Sequence, residues 1–342
     1  MSIRLREGSL DSSSSPNHET STDRTVIPDG GTTWGSMQVE SPDFVVARDG
    51  SGDFESVQAA IDAVPDFRDA ETTILLESGT YEEKLVVPTS KTNVTLVGED
   101  PEETILTYDD YNGKENRFGE EMGTTESSSC FLFGDDFTAR DLTFQNTAGA
   151  VGQAVAARVD GDRAVFENCR FLGHQDTLYT HGEDSRQYYR DCYVEGRVDF
   201  IFGWSTAVFE DCEIFCTGDE GYVTAASTTE DTDYGYLFRN CEITGDAPDG
   251  SFYLGRPWRP YAQTVFAHCH LGEQIRPDGW HNWRDPDKEE TAFYAEYENE
   301  GPGFTPDERV DWARQLTDGE AAEYTRETVL DGWEPLERLA DS

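Results

Sequence analysis

At 342 residues the chain is long enough to bury a full core without help from disulfides or metals. Its 26 basic residues against 70 acidic ones leave a formal net charge of −44. That charge excludes non-specific nucleic-acid binding and attachment to anionic membranes, which both need surplus cations, and no apolar run approaches the ~18 residues of a membrane-spanning helix.

Residues 1–41 read as a disordered polar tail: Ser12 to Ser15, Asn17 and Ser21 to Asp23 crowd it with polar groups. The stretch has no apolar core and no twin-arginine pair, so it does not read as a signal peptide. Order is expected from FVVA (44–47). In 53–64, Phe54, Val57, Ala60, Ile61 and Val64 fall at helical spacing, with Asp53 as the expected N-cap. Segments 71–87 and 93–100 alternate apolar and polar residues and supply the first strands.

A repeat then dominates the chain. AVFENCRF (164–171), AVFEDCEI (207–214), YLFRNCEI (236–243) and TVFAHCHL (264–271) are near copies, and RDCYV (190–194) shares their centre. The central cysteine recurs at Cys169, Cys192, Cys212, Cys241 and Cys269, a period of 20 to 29 residues. Each copy has strand periodicity, and an Asn or Asp precedes four of the five cysteines, where a tight bend suits those residues. One strand-rich coil per repeat predicts a β-solenoid, a right-handed parallel β-helix, with the cysteines stacked as a buried ladder. The seven cysteines are odd in number and contain no CxxC pair, which argues against a disulfide framework or a zinc site. The helix at 53–64 would cap the solenoid's bare apolar end. Beyond residue 284 the repeats weaken, and helical stretches are expected at 306–316 and 319–329, packed along the outside. One domain over 42–336, with a loose end over 337–342, completes the expected organisation.

Two segments carry candidate chemistry. GHQDTLY (173–179) sets Gln175 and Asp176 beside apolar residues, and VDFIFGW (198–204) sets Asp199 alone in an apolar run. A carboxylate in such company is costly unless paired or functional. The two aspartates are 23 residues apart, about one coil, so they should stack on one face as a carboxylate pair. Such a pair splits its pKa values into acid and base roles. From spacing alone, a turn cap at Asp176 and a buried ion pair at Asp199 serve equally well. Gln153 lies one coil before Gln175, and LGRPW (254–258) offers Arg256 and Trp258, which read as a carboxylate partner and a sugar platform or as a surface arginine and a core residue.

QAVA, GHQDTLY, DFIFG and LGRPW, in that order, resemble the pectin methylesterase (pectinesterase) family. The likeness runs from VVARDGSGDFESVQAAIDAVP (45–65) through ARDLTFQNTAG (139–149) to GWHNW (279–283) and YAEYENEGPG (294–303). It implies a parallel β-helix and hydrolysis of the methyl esters of pectin to methanol and free carboxylates. By the same resemblance Asp199 is the nucleophile and Asp176 the general acid, then base. Gln153 and Gln175 line the oxyanion hole, and Arg256 holds the nucleophile. Tyr179, Trp258, Phe200 and Trp280, with Trp283, shape the sugar cleft. No metal or organic cofactor is implied, a monomer is expected, and the polymer substrate is extracellular. The chain departs from the family pattern at Ala226, where a glutamine is usual, at His174, usually Tyr or Phe, and at GTTESSSCF, which lacks an aromatic. The alternatives are an esterase or thioesterase of the family with another substrate, a polysaccharide lyase, and a non-catalytic carbohydrate-binding solenoid. With four lysines among 26 basic residues, the charge also predicts a protein adapted to concentrated salt, where the screening length falls to about 3 Å.

Overall fold

The computed structural model describes residues 41–340, so the expected polar tail lies outside them apart from Ser41. The strands wind as successive turns, each visiting three sheets. Strand Ala164–Glu167 lies in the first, Arg170–Leu172 in the second and Leu178–Thr180 in the third. The next turn repeats this with Arg186–Arg190, Tyr193–Gly196 and Val198–Gly203. Neighbouring turns pair in parallel register, Val165 with Tyr188, Phe171 with Val194 and Leu178 with Ile201. Among the described residues the sheets hold eleven, eight and seven strands. This is the parallel β-helix that the repeat predicts, right-handed as parallel crossovers almost always are.

The residue before each repeat cysteine makes the corner between the first and second sheets. Asn168, Asp191, Asp211, Asn240 and His268 all have φ between 50° and 56°. Asn and Asp tolerate this left-handed conformation better than other side chains. The corner turns the cysteine inward, and Cys169, Cys192, Cys212, Cys241 and Cys269 are all buried. Each thiol points at a carbonyl of the preceding turn, as Cys192 does at Phe166 and Cys269 at Phe238. Burial pushes the thiols of Cys169, Cys212 and Cys269 well up, so they remain protonated.

Equivalent positions of successive turns also stack inside the first sheet. Phe166, Tyr189, Phe209, Phe238 and Phe266 form a column with neighbouring ring centroids 4.4–4.8 Å apart and planes within 8° of parallel. Each ring covers the next, so the column buries apolar area over five turns.

The capping helix is Val57–Ala63, with Ser56, not Asp53, as N-cap. The Asp53 carboxylate instead accepts from the Val45 amide. Glu83 reaches across to accept from the free Val57 and Gln58 amides, which sets the start of the helix. Val57, Ala60 and Ile61 close the end of the core.

The C-terminal segment does pack outside, against Val165, Tyr188, Val208, Leu237 and Val265 of the first sheet. Its elements differ from the expected ones. Residues 306–316 hold only a short 3-10 turn, Pro306–Glu308, and a strand, Arg314–Gln315, that extends the first sheet. Buried Arg309 is held by a two-point ion pair with Glu296, which pins this stretch extended. Residues 319–329 break into two short helices, Asp318–Ala321 and Arg326–Val329. The end expected to be loose begins as part of a helix, Pro335–Ala340: Leu339 is buried and Arg338 pairs with Asp136 at 2.8 Å.

Candidate active site

The outer face of the seven-stranded sheet gathers the predicted residues. Gln153, Gln175 and Val198 pair side by side on successive turns, which sets the two glutamines next to each other and Asp176 next to Asp199. Both aspartates take left-handed backbone, with φ of 64° and 51°. At Asp199 the strand is irregular: Val198 pairs with Tyr222 but Ile201 with Thr224, so one extra residue is accommodated between them. Such a bulge re-aims side chains. Here it sends Asp199 to the outer face, while both Phe200 and Ile201 turn into the core.

Arg256 reaches Asp199 by a two-point fork, Nε to Oδ1 at 2.8 Å and an Nη to Oδ2 at 2.7 Å. Gly255 makes this approach possible, since a Cβ there would lie 2.0 Å from the Thr224 Oγ1. The guanidinium is stacked between two rings, 3.7 Å from the Tyr222 centroid and 3.8 Å from that of Trp283. Lys288 donates to the Pro257 and Trp258 carbonyls and so fixes the following segment.

The electrostatics of the two carboxyls differ. Burial, and then the adjacent Asp199 charge, hold Asp176 well above the usual carboxylate range. Asp199 is also raised by burial, but Arg256 pulls it back through both hydrogen bonding and charge. With one proton to share, the pair keeps it on Asp176 and leaves Asp199 ionised. That arrangement can supply a nucleophile and an acid from two residues of the same type.

On one side of the pair lies an aromatic cluster. Tyr179 stacks on Phe202 at 4.1 Å, and Trp204 and Trp258 flank them. Burial pushes the Tyr179 phenol up to about 12, so it stays neutral. On the other side is a groove of about 500 Å³ whose lining includes His174, Gln175, Arg197, Tyr222, Arg276 and Arg284. Its three arginines outnumber the one carboxylate of the lining, Glu220, a local excess of positive charge in so acidic a chain. Burial and the nearby Arg256, Arg284 and Arg276 hold His281, which also lines the groove, below the usual imidazole range.

The structure therefore brings together Asp199, Asp176, Gln175, Gln153, Arg256, Tyr179 and Trp258. It corrects two expected cleft residues. Phe200 is fully buried because of the bulge, and Phe202, two residues on, takes the outer position. Trp280 is 1% exposed and packs on Phe266 and Tyr294 inside the core, whereas Trp283 reaches the site. Ala226 likewise belongs to the interior cluster. The sequence reading missed Tyr222, although it lies 23 residues after Asp199, the same one-coil interval that linked the aspartates.

The sequence and the fold are shared with known proteins. The family model described as Pectinesterase matches residues 43–333. Pectinesterase 31 of Arabidopsis thaliana is 44% identical over 292 residues, covering 84% of this chain and 91% of its own. The solved pectin methylesterase from carrot superposes with a TM-score of 0.79 at 35% identity, over 87% of this chain and 95% of its own. A pectin methylesterase solved in complex with a hexasaccharide superposes at 0.76 and 30% identity, over 86% and 98%.

Proposed function

The chain belongs to the pectinesterase family, and from that premise we propose that it hydrolyses the methyl esters of pectin with Asp199 as nucleophile and Asp176 as acid and base. One Asp199 oxygen attacks the ester carbonyl and gives a tetrahedral oxyanion. The Gln153 and Gln175 amides donate to that oxyanion, an interaction typically worth ~3 kcal/mol per donor. As the intermediate collapses, the Asp176 proton passes to the departing methoxide and methanol leaves. The polymer is then held as a mixed anhydride on Asp199. Asp176, now ionised, takes a proton from water, whose oxygen attacks the anhydride and releases the galacturonate carboxylate and Asp199. The proton taken from water restores protonated Asp176, the water's second proton leaves to solvent as the product acid ionises, and no cofactor enters any step.

The observation that carries this reading is the unequal carboxyl pair: Asp199 forked by Arg256, Asp176 beside it and held protonated. The aromatic cluster suits sugar faces and methyl esters, and the arginine-lined groove suits the free carboxylates of partly de-esterified polymer. Adaptation to concentrated salt is the reading of the −44 charge. It is supported by the use of the four lysines: each is tied to backbone carbonyls or carboxylates, none being left as a free surface cation. Methanol release from methylated pectin, measured with EDTA present, tests the activity. Asp199→Asn should abolish it, and a variant keeping more than about a tenth of the rate, a loss under ~1.4 kcal/mol, would remove Asp199 from the nucleophile's place.

A further inference from the structure

A loop between the family-like motifs reaches the site. Residues 109–123 fold back on themselves, with Gly113 donating to the Met122 carbonyl and Asn116 to that of Glu120. The root of this loop is fastened tightly. The Asp110 carboxylate takes ion pairs from Lys84 at 2.5 Å and Lys114 at 2.9 Å, half of all the lysines the chain contains. Its carbonyl accepts from buried Asn146, which also donates to Val155 beside the site. Two residues further on, Asn112 makes two bonds to one partner: its backbone N–H donates to the Gln153 carbonyl at 2.9 Å, and its side-chain Nδ2 donates to the Gln153 side-chain Oε1 at 2.9 Å.

The loop leads into the turn of strand Cys130–Leu132, which pairs with Ala157–Val159 on the side opposite Leu178–Thr180. Asn112 thus approaches Gln153 from the side away from Gln175. An amide has one accepting oxygen and one donating nitrogen, set at a wide angle to each other on the same carbon, so tying one fixes where the other points. With the oxygen engaged by Asn112, the nitrogen is the Gln153 amide group left to donate at the site. A glutamine without that tie would present oxygen or nitrogen with little preference, and an oxygen there would repel the developing oxyanion.

We propose that Asn112 is a positioning residue for the esterase reaction, fixing the Gln153 amide so that its nitrogen faces the oxyanion. The inference rests on the reading of Gln153 as an oxyanion donor. Its signature is directional: Asn112 acts by donating, so a side chain of the same shape that only accepts is worse than no side chain. In Asn112→Asp the new carboxylate attracts the Gln153 nitrogen, and the oxygen swings toward the reacting carbonyl. The loss should approach that of deleting a donor, on the order of 10²-fold in kcat. Asn112→Ala frees the amide to rotate and should cost several-fold. In both variants KM should stay within about twofold, because the missing interaction forms only with the oxyanion.

The test is methanol release by the full chain, with kcat and KM measured for Asn112→Asp and Asn112→Ala, each also in a Gln153→Ala background. Thermal melts check that the folds match. The expected result is Asp far below Ala in the natural background, and both variants nearly silent once Gln153 is gone. If Gln153→Ala lowers kcat but Asn112→Asp does not, or if Asn112→Asp costs the same with and without Gln153, the positioning role is wrong and the oxyanion reading stands. If Gln153→Ala leaves kcat intact, both fall together.

Discussion

Replacing Arg256 with methionine tests the electrostatic logic of the site. The wild-type guanidinium makes two charge-assisted bonds to a carboxylate that is only 6% exposed. Methionine keeps apolar bulk between Tyr222 and Trp283, so the cavity left is small, but both bonds to Asp199 are lost. Truncating one partner of a buried ion pair costs roughly 3–5 kcal/mol. A buried carboxylate escapes part of that cost by taking up a proton. Burial already raises Asp199 and Arg256 opposes it, so removing Arg256 can only raise it further. The proposed mechanism needs Asp199 ionised while Asp176 is protonated, and the variant disfavours that distribution. At ~1.4 kcal/mol per decade, a loss of at least about 10²-fold in kcat at neutral pH is expected. The acid limb of the pH–rate profile should move to higher pH. Arg256→Lys keeps the charge but not the fork, and should fall between, about tenfold down. The assay is methanol release from pH 4 to 9, with circular dichroism on each sample. A folded Arg256→Met protein within tenfold of wild type at every pH, with its acid limb unmoved, would refute the reasoning.

Three further outcomes follow from other parts of the molecule. Asp176→Asn should cut the rate by about 10²–10⁴ yet stabilise the fold in a pH-dependent way. The folded state raises the Asp176 pKa, so folded protein holds the proton more tightly than unfolded chain, and wild type loses stability as pH rises from the ordinary carboxylate value through the raised one. The variant has no such proton, so the two should melt alike near pH 3 and the variant's Tm should pull ahead toward pH 8; a gap constant with pH would contradict this. Phe209→Ala opens the middle of the aromatic column, between Tyr189 at 4.5 Å and Phe238 at 4.6 Å, and should cost ~3–5 kcal/mol in chemical denaturation. A loss under about 1 kcal/mol would show that the column is not a continuous packing unit. Raising NaCl from about 0.1 to 3 M shortens the screening length from about 10 Å to a few ångströms and should raise both Tm and methanol-release rate; a protein most stable and most active at the low end would overturn the salt-adaptation reading.

Much of the molecule was legible because a solenoid turns long-range contacts into a sequence interval. The cysteine recurrence gave the coil length, and the Asn or Asp before four of the five repeat cysteines marked corners whose left-handed backbone the structure bears out. The same interval put Asp176 beside Asp199 and Gln153 beside Gln175 before any coordinate was known. What failed was the assignment of faces where the pattern is locally broken. Alternation along VDFIFGW cannot reveal that one extra residue is absorbed after Val198, and with that bulge Phe200 joins the interior core while Phe202 joins the cluster of Tyr179 and Ala225 on the other face. The positions of Trp280 and Trp283 depend on how the last turn closes over Phe266 and Tyr294, which is a packing outcome of several segments at once. The C-terminal stretch lost its expected helix to Arg309 and Glu296, an ion pair that forms only when the sheet edge is in place. Asn112 is the furthest case. It lies 41 residues from Gln153 in a loop with no repeat and no motif. Local periodicity reports which residues share a face of one coil, whereas a contact between a loop and the sheet beneath it exists only once the coils have stacked.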